Sequence, residues 1–244
     1  MRRVAAKLMH SLAAAMGNKV GKEVEELCAS GQCAAAAVAL KLAVDLGHLP
    51  SRALKAWMML GGREGVAKDH NGAFKLAEEG ARLGCHHCQG VMAWCCRWGY
   101  GCVRDRARSL ELARESSGKG SRYGQFTLGQ LYEDGGGGVA FNYAQASALY
   151  RLAAAQNLDA AQSCLGCVYY HGDGVAQARD LAEALRMFQL AAAQGHPTAS
   201  HLVASFHERG LGVPANKAEA IRWYRRAQAA GHPRVAYDLQ RLRA

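Results

Sequence analysis

Cys85-His86-His87-Cys88, with Cys95, Cys96 and Cys102 close behind, is the stretch richest in residues that bind metals or exchange electrons. Thiolates and neutral imidazoles are the usual ligands of zinc. The spacing works against one shared ion. If 85–97 is a helix, Cys88 and Cys95 share a face yet lie about 10 Å apart at a rise of 1.5 Å per residue. Every ligand to one zinc must come within about 2.3 Å of it. Two readings stand: thiols without metal, and a site completed by Cys102 or by another chain. The expectation carried forward is no metal and no cofactor.

Other candidates for chemistry are weaker. Cys164-Leu165-Gly166-Cys167 spells C-x-x-C, which suits redox work when it opens a helix after a strand. Here it falls inside a helical pattern. Thr127 and Leu202 hold the place of Cys164, 37 residues before it and 38 after, so packing explains the residue. Gly135-Gly136-Gly137-Gly138 lacks the lysine and Ser/Thr of a phosphate-binding loop. The ten histidines are scattered, with no local signature of a serine–histidine–carboxylate grouping. No enzyme is expected.

What, then, positions these residues? The chain has 244 residues, half of them hydrophobic and a fifth charged, with four prolines and abundant alanine, a mix that favours helices over a β-sandwich. No run reaches the roughly 20 apolar residues that a membrane span needs. Nine cysteines cannot all pair within the chain, and a chain this long needs no disulfide staples, so reduced thiols in an intracellular compartment are expected.

Self-similarity answers the question. Gly47, Gly84, Gly120, Asn157, Gly195 and Gly231 recur at intervals of 36 to 38 residues. Four residues before each stands a small one: Ala43, Gly80, Ser116, Ala153, Ala191 and Ala227. Eleven before stand Ala36, Ala73, Ser109, Ala146, Ala184 and Ala220, often with a bulky pair between, such as Trp223-Tyr224. Each period splits into two helical patterns. Ala161, Leu165 and Val168/Tyr169 mark one face of the first. A glycine-rich break follows near residues 62, 101, 137, 174 and 212. Asn142, Asp180 and Asn216 then stand three residues before Gln145, Glu183 and Glu219, the spacing that opens a helix. Gly129 and Gly166 lie inside first helices, where Ala56, Ala93 and Ala204 hold the matching places. A glycine there costs about 1 kcal/mol relative to alanine, which makes sense if a neighbouring helix crosses closely.

The pattern A-x-x-x-LG-x-x-Y-x-x-G-x-GV, then a capped helix carrying A-x-x-WY-x-x-A-x-x-xG, resembles the Sel1-like repeat family. Its members are helix–turn–helix solenoids related to tetratricopeptide repeats. The likeness is strongest from Gly120 to the C-terminus; between 32 and 119, Trp57-Met58-Met59-Leu60, Trp94-Cys95-Cys96 and Leu112-Ala113 depart from it. The resemblance implies an all-α, right-handed α-solenoid that serves as an adaptor or assembly factor. Some relatives carry a disulfide in each repeat, but the cysteines here occupy unequal slots, so none is carried over. The expected layout is an amphipathic helix over 1–19, about six repeats over 20–231 and a capping helix over 232–244.

The slot after the internal small residue should point away from the partner helix. It holds Gln130, Cys167 and Ser205 in later repeats, but Trp57 and Trp94 in the earlier ones, with Arg97 and Trp98 one turn onward. One reading makes Trp57, Trp94, Arg97 and Trp98 a groove that grips a partner peptide; the other makes the tryptophans core. Net charge is +10, with the excess at both ends and in residues 97–122. Arg222, Arg225 and Arg226 form one helical face, and Arg234, Arg241 and Arg243 follow. This basic patch reads as solvated surface or as a contact for RNA phosphate, without sequence reading. Residues 3–16 are amphipathic and basic, with no acid before Glu23. They suit a mitochondrial transit peptide or a cap on the first repeat. The expectation is a scaffold subunit or assembly factor in a mitochondrial, RNA-containing complex, with protein subunits as partners. The alternatives are a respiratory-complex chaperone binding a client or metal through its cysteines, and a cytoplasmic location.

Overall fold

The computed structural model describes residues 15–24, 26–27, 33–62, 66–172 and 179–242. Most of the expected N-terminal amphipathic helix, the centre of the turn near 174, and Arg243 lie outside the described residues. Residues 15–24 are helical (α1). They are followed by α2 (Cys33–Asp45), α3 (Leu49–Gly61), α4 (His70–Arg82), α5 (His86–Trp98), α6 (Arg106–Gly118) and α7 (Arg122–Asp134). A short 3-10 turn at Gly136–Gly138 leads to α8 (Tyr143–Ala155), α9 (Asp159–His171), α10 (Leu181–Ala193) and α11 (Pro197–Arg209). Last come α12 (Lys217–Ala229) and α13 (Val235–Arg241). No strand occurs among the described residues. The fold is all-α and of the solenoid class, with successive helices from α2 to α6 and from α8 to α13 packing on one another.

The helix boundaries follow from capping chemistry. At the starts of α4, α6, α8, α10 and α12 an Asx side chain accepts the N–H three residues on: Asp69 from Gly72 (2.8 Å), Asp105 from Arg108 (2.9 Å) and Asn142 from Gln145 (3.0 Å). Asp180 and Asn216 do the same for Glu183 (2.9 Å) and Glu219 (3.0 Å). Each such contact satisfies one of the four donors a helix leaves unpaired at its start. First helices use other caps. His48 and His196 accept from Ser51 (3.3 Å) and Ala199 (3.2 Å), and Cys85 accepts from Cys88 (3.4 Å).

The repeating glycines close the turn between pairs. Gly47, Gly84, Gly120, Gly195 and Gly231 take φ between 80° and 84°. Asn157 stands in the same row at φ 59°, the lone non-glycine with positive φ among the described residues. Asparagine tolerates that conformation better than most side chains. Its Oδ1 also accepts from the side-chain amides of Gln162 and Gln194, each at 3.0 Å.

The chain divides into two compact units, residues 1–128 and 129–244. In the second, Ala184, Leu185, Phe188, Ala191, Ala192, Ala199, Val203 and Phe206 make one core cluster, where α10 meets α11. Ala204, Ala220, Tyr224, Ala227, Val235, Leu239 and Leu242 make the next, where α13 covers the last pair. The small slots work as expected. A Cβ added at Gly129 would sit 2.8 Å from Tyr150 Cε1, and one at Gly166 would sit 2.6 Å from Phe188 Cε1. The second-helix aromatic lies directly against the first-helix backbone. In the first unit, α6 offers Leu112-Ala113 there instead of an aromatic pair, and the Ser109 hydroxyl donates to the Ala93 carbonyl at 2.7 Å.

Candidate partner-binding surface

In the first unit the bulk missing from the second helices sits on the first helices. Trp57 on α3, Trp94 on α5 and Phe126 on α7 form a continuous row of rings. Trp57 and Trp94 centroids are 5.5 Å apart, and Trp94 and Phe126 are 5.2 Å apart. Tyr123, at the start of α7, closes on Trp57 at 5.1 Å, and Phe126 meets it edge-on at 5.8 Å. Trp98 continues the row one turn along α5, 5.7 Å from Trp94. Such pairs contribute about 0.5–1.5 kcal/mol each beyond the area they bury.

Exposure grades along the row. Trp57 is only 8 % exposed, Trp94 is half-buried and Trp98 is 41 % exposed. Of the two readings of Trp57 the core one holds, and its place in a partner groove is corrected: its indole is covered by the rings of Trp94, Tyr123 and Phe126. Arg97 is corrected in the same way, being 4 % exposed. Its guanidinium lies 5.0 Å from the Trp98 ring, and its carbonyl accepts from Arg104 Nε at 3.2 Å. A second guanidinium, Arg122, lies 5.1 Å from the Tyr123 ring. The open part of the surface is Trp98, the outer edge of Trp94, and the turn after α5, where Val103 is exposed. Arg104 and Arg108 give that turn a basic margin.

Tyr123 and Phe126 escaped the sequence reading. The slot after Gly129 holds Gln130, so the slot pattern alone ends the aromatic row at Trp94. In fact it continues on α7 one turn earlier. The signal was available in the absence of aromatic pairs from α4 and α6, which obliges other rings to fill the interior.

Four of the cysteines form two close pairs. Cys85 and Cys88 are both buried and approach the Leu49 carbonyl at 3.6 and 3.8 Å. Cys96 and Cys102 sulfurs lie 3.9 Å apart across the turn between α5 and α6. Burial pushes the Cys96 thiol up to about 12. No group of three or more His, Cys, Asp or Glu among the described residues is arranged to hold a metal ion. Cys164 and Cys167 lie on α9, half-buried and exposed respectively, within the helix as the sequence placed them.

Two arginines of the C-terminal basic patch, Arg222 and Arg241, are paired with carboxylates. Arg241 makes a forked contact with Glu208, at 2.5 and 3.0 Å, and reaches Asp238 at 3.5 Å. Arg222 pairs with Glu219 at 3.2 Å. Arg226 lies over the Trp223 ring at 5.1 Å and donates to the Ala193 carbonyl at 3.4 Å. Arg225 and Arg234 are exposed, which leaves a smaller positive face than the sequence suggested. No helix among the described residues is long and apolar enough to cross a membrane.

Comparison with known proteins agrees with this architecture. The Sel1 repeat model matches residues 53–85, 87–121, 122–158, 160–196 and 197–232, well over half of the chain. Among solved structures, a Sel1 repeat protein from Oxalobacter formigenes is 23 % identical with a TM-score of 0.57. That match covers 86 % of this chain and 84 % of the other. A protective antigen of uropathogenic Escherichia coli, displaying an SLR fold, is 26 % identical with a TM-score of 0.57. It matches over 85 % of this chain, which spans only 44 % of the antigen's length. An immunity protein from Pseudomonas aeruginosa is 17 % identical with a TM-score of 0.53, covering 88 % of this chain and 82 % of that one. No curated protein matches the chain.

Proposed function

The chain belongs to the Sel1 repeat family, whose repeats are non-catalytic modules that mediate protein–protein interaction, and from that premise we propose that its first unit grips a partner protein through Trp98 and the edge of Trp94. The observation that carries this reading is the graded aromatic row. Trp57 and Phe126 pack on Trp94 from behind, with Tyr123 backing Trp57, so that Trp98 is offered on a packed base at 41 % exposure. Tryptophan held that way loses little entropy on binding, and tryptophan and arginine are enriched where interfaces concentrate their energy. The buried Arg97 acts as support by stacking on Trp98. Arg104 and Arg108 at the margin suit a segment with an apolar or aromatic anchor flanked by acidic residues.

The test is affinity purification of the full chain, with co-purifying proteins quantified for the wild type, Trp98→Ala and Tyr237→Ala. Tyr237 is 71 % exposed and lies in the other unit, so it controls for loss of any surface aromatic. Loss of a hot spot costs about 2 kcal/mol or more, roughly 30-fold in affinity. Trp98→Ala should deplete a defined partner set by that order, and Tyr237→Ala should leave it intact. Equal recovery with both variants removes the proposal.

Which assembly the scaffold serves is a finer reading. A mitochondrial, RNA-containing complex is supported by the net charge of +10 and by the basic, acid-free N-terminal stretch. The RNA arm is weakened because Arg222 and Arg241 already have carboxylate partners. Phosphate contact would make binding fall steeply with salt, and salt-insensitive association would drop that arm. The alternative, a respiratory-complex assembly chaperone acting through cysteines, draws its support from the two thiol pairs.

A further inference from the structure

We propose that Cys85 and Cys88 are a redox-active dithiol that closes to an intramolecular disulfide when a hydroperoxide reaches Cys85. The two cysteines stand at the start of α5. Cys85 is the N-cap residue, with φ −75° and ψ 106°. That extended backbone turns its sulfur back over the first helical turn, where it accepts the Cys88 N–H at 3.4 Å. Both sulfurs converge on one acceptor, the Leu49 carbonyl of α3. Two cysteines three apart inside a helix stand about 5–6 Å apart at Cβ, beyond the 3.5–4.5 Å a disulfide needs. Cys164 and Cys167, in the body of α9, are in that position. A cap residue escapes the restriction because its backbone is not helical.

The surroundings decide which sulfur reacts. The Cys85 thiol is lowered to about 7, chiefly because the Cys88 side chain hydrogen-bonds to it, with the first-turn N–H groups of His87 and Cys88 and the charge of Arg52 assisting against burial. Arg52 reaches in from α3 and is held by Glu79 of α4 at 3.0 Å. Among the neighbouring groups, His87 does not supply charge, since burial pushes it down to about 4. Cys88 is driven far upward by the same hydrogen bond and by burial. Cys85 is therefore the nucleophile and Cys88 the resolving thiol. Cys85 keeps 5 % of its surface exposed and Cys88 none, which admits only a small oxidant. Gly80 completes the arrangement: a Cβ there would lie 2.3 Å from Cys88 Sγ, so the glycine makes room for that sulfur.

The chemistry balances in two steps. The Cys85 thiol gives its proton to solvent. Its thiolate attacks the peroxide oxygen, the O–O bond breaks, and the departing alkoxide or hydroxide takes up that proton to leave as alcohol or water, with sulfenic acid formed on Cys85. Cys88 sulfur then attacks Cys85 sulfur, the S–O bond breaks, and hydroxide leaves with the Cys88 proton as water. Two thiols lose two electrons and the hydroperoxide gains them. A dithiol reductant reverses the closure by exchange at Cys85, the less buried of the two sulfurs.

The experiment treats the full reduced chain with hydrogen peroxide, blocks remaining thiols by alkylation, and maps the peptides by mass spectrometry. The expected product is lighter by two hydrogens, links Cys85 to Cys88, and is restored by dithiothreitol. Cys85→Ser, which keeps a good N-cap residue and so preserves the helix start, should abolish the product. Alkylation of Cys85 in the wild type should be half-maximal near pH 7. Peroxide-treated protein in which both residues still alkylate, or in which the link forms only between Cys96 and Cys102, overturns the proposal.

Discussion

Replacing Gly166 by alanine tests the packing logic of the repeat at its tightest point. In an open helix this change stabilises by about 1 kcal/mol. Here the new methyl would meet three atoms of the Phe188 ring, Cε1 at 2.6 Å, Cδ1 at 2.7 Å and Cζ at 3.0 Å. Carbon atoms in contact rest about 3.5–4.0 Å apart, so the ring must move by roughly 1 Å. It has nowhere easy to go: Phe188 is fully buried and meets Phe206 edge-on at 5.5 Å. Overpacking of this kind costs about 1–3 kcal/mol. Set against the helix gain, the net loss is up to about 2 kcal/mol, or about 4–8 °C in Tm for a chain of this size. Thermal unfolding followed by circular dichroism would read it, and hydrogen exchange in α9 and α10 would localise it. A double-mutant cycle makes the test sharp. With Phe188→Leu the methyl finds room, and Gly166→Ala should then stabilise, giving a coupling of about 1–3 kcal/mol. If Gly166→Ala raises Tm equally in both backgrounds, the close approach is not what fixes glycine at this slot.

Three further outcomes are expected. Gly195→Ala should cost about 1–2 kcal/mol, because the residue sits at φ 80° although a Cβ there would touch nothing. Gly118→Ala, equally open but with ordinary helical backbone, should stabilise by up to about 1 kcal/mol, and paired melting curves would show the opposite signs. His87, ordinarily near 6.5, is pushed down to about 4 by burial, with His86 and Arg122 adding to the effect. The unfolded chain thus binds a proton at this site first, and stability is fully present above pH 6.5 and lost as pH falls toward 4, by at most about 3 kcal/mol. His87→Gln should flatten that part of the urea-midpoint profile; an unchanged profile would assign the acid sensitivity elsewhere.

Much of the fold was legible because its signals are local. The positive-φ row at Gly47, Gly84, Gly120, Asn157, Gly195 and Gly231 shows directly as a period of 36 to 38 residues. The caps Asn142, Asp180 and Asn216 show three residues ahead of the N–H they satisfy. Trp57 was less legible, because its burial depends on Tyr123 and Phe126, 66 and 69 residues later, which no helical period relates to it. The basic patch divides the same way. Arg222 and Glu219 are three apart and could be paired on sight, whereas the Arg241–Glu208 contact spans 33 residues and needed the stack to assemble. A slot rule taken from the glycine-bearing repeats also failed where α6 substitutes Leu112-Ala113 for a bulky pair, since the space then fills from the opposite helix.

Hydrogen exchange of the full chain, with and without its purified partner, tests the interaction surface most directly. Protection should concentrate in the last turn of α5 and in residues 99–104, around Trp98 and Val103. Protection confined to residues 179–242, with the α5 terminus unchanged, would contradict it.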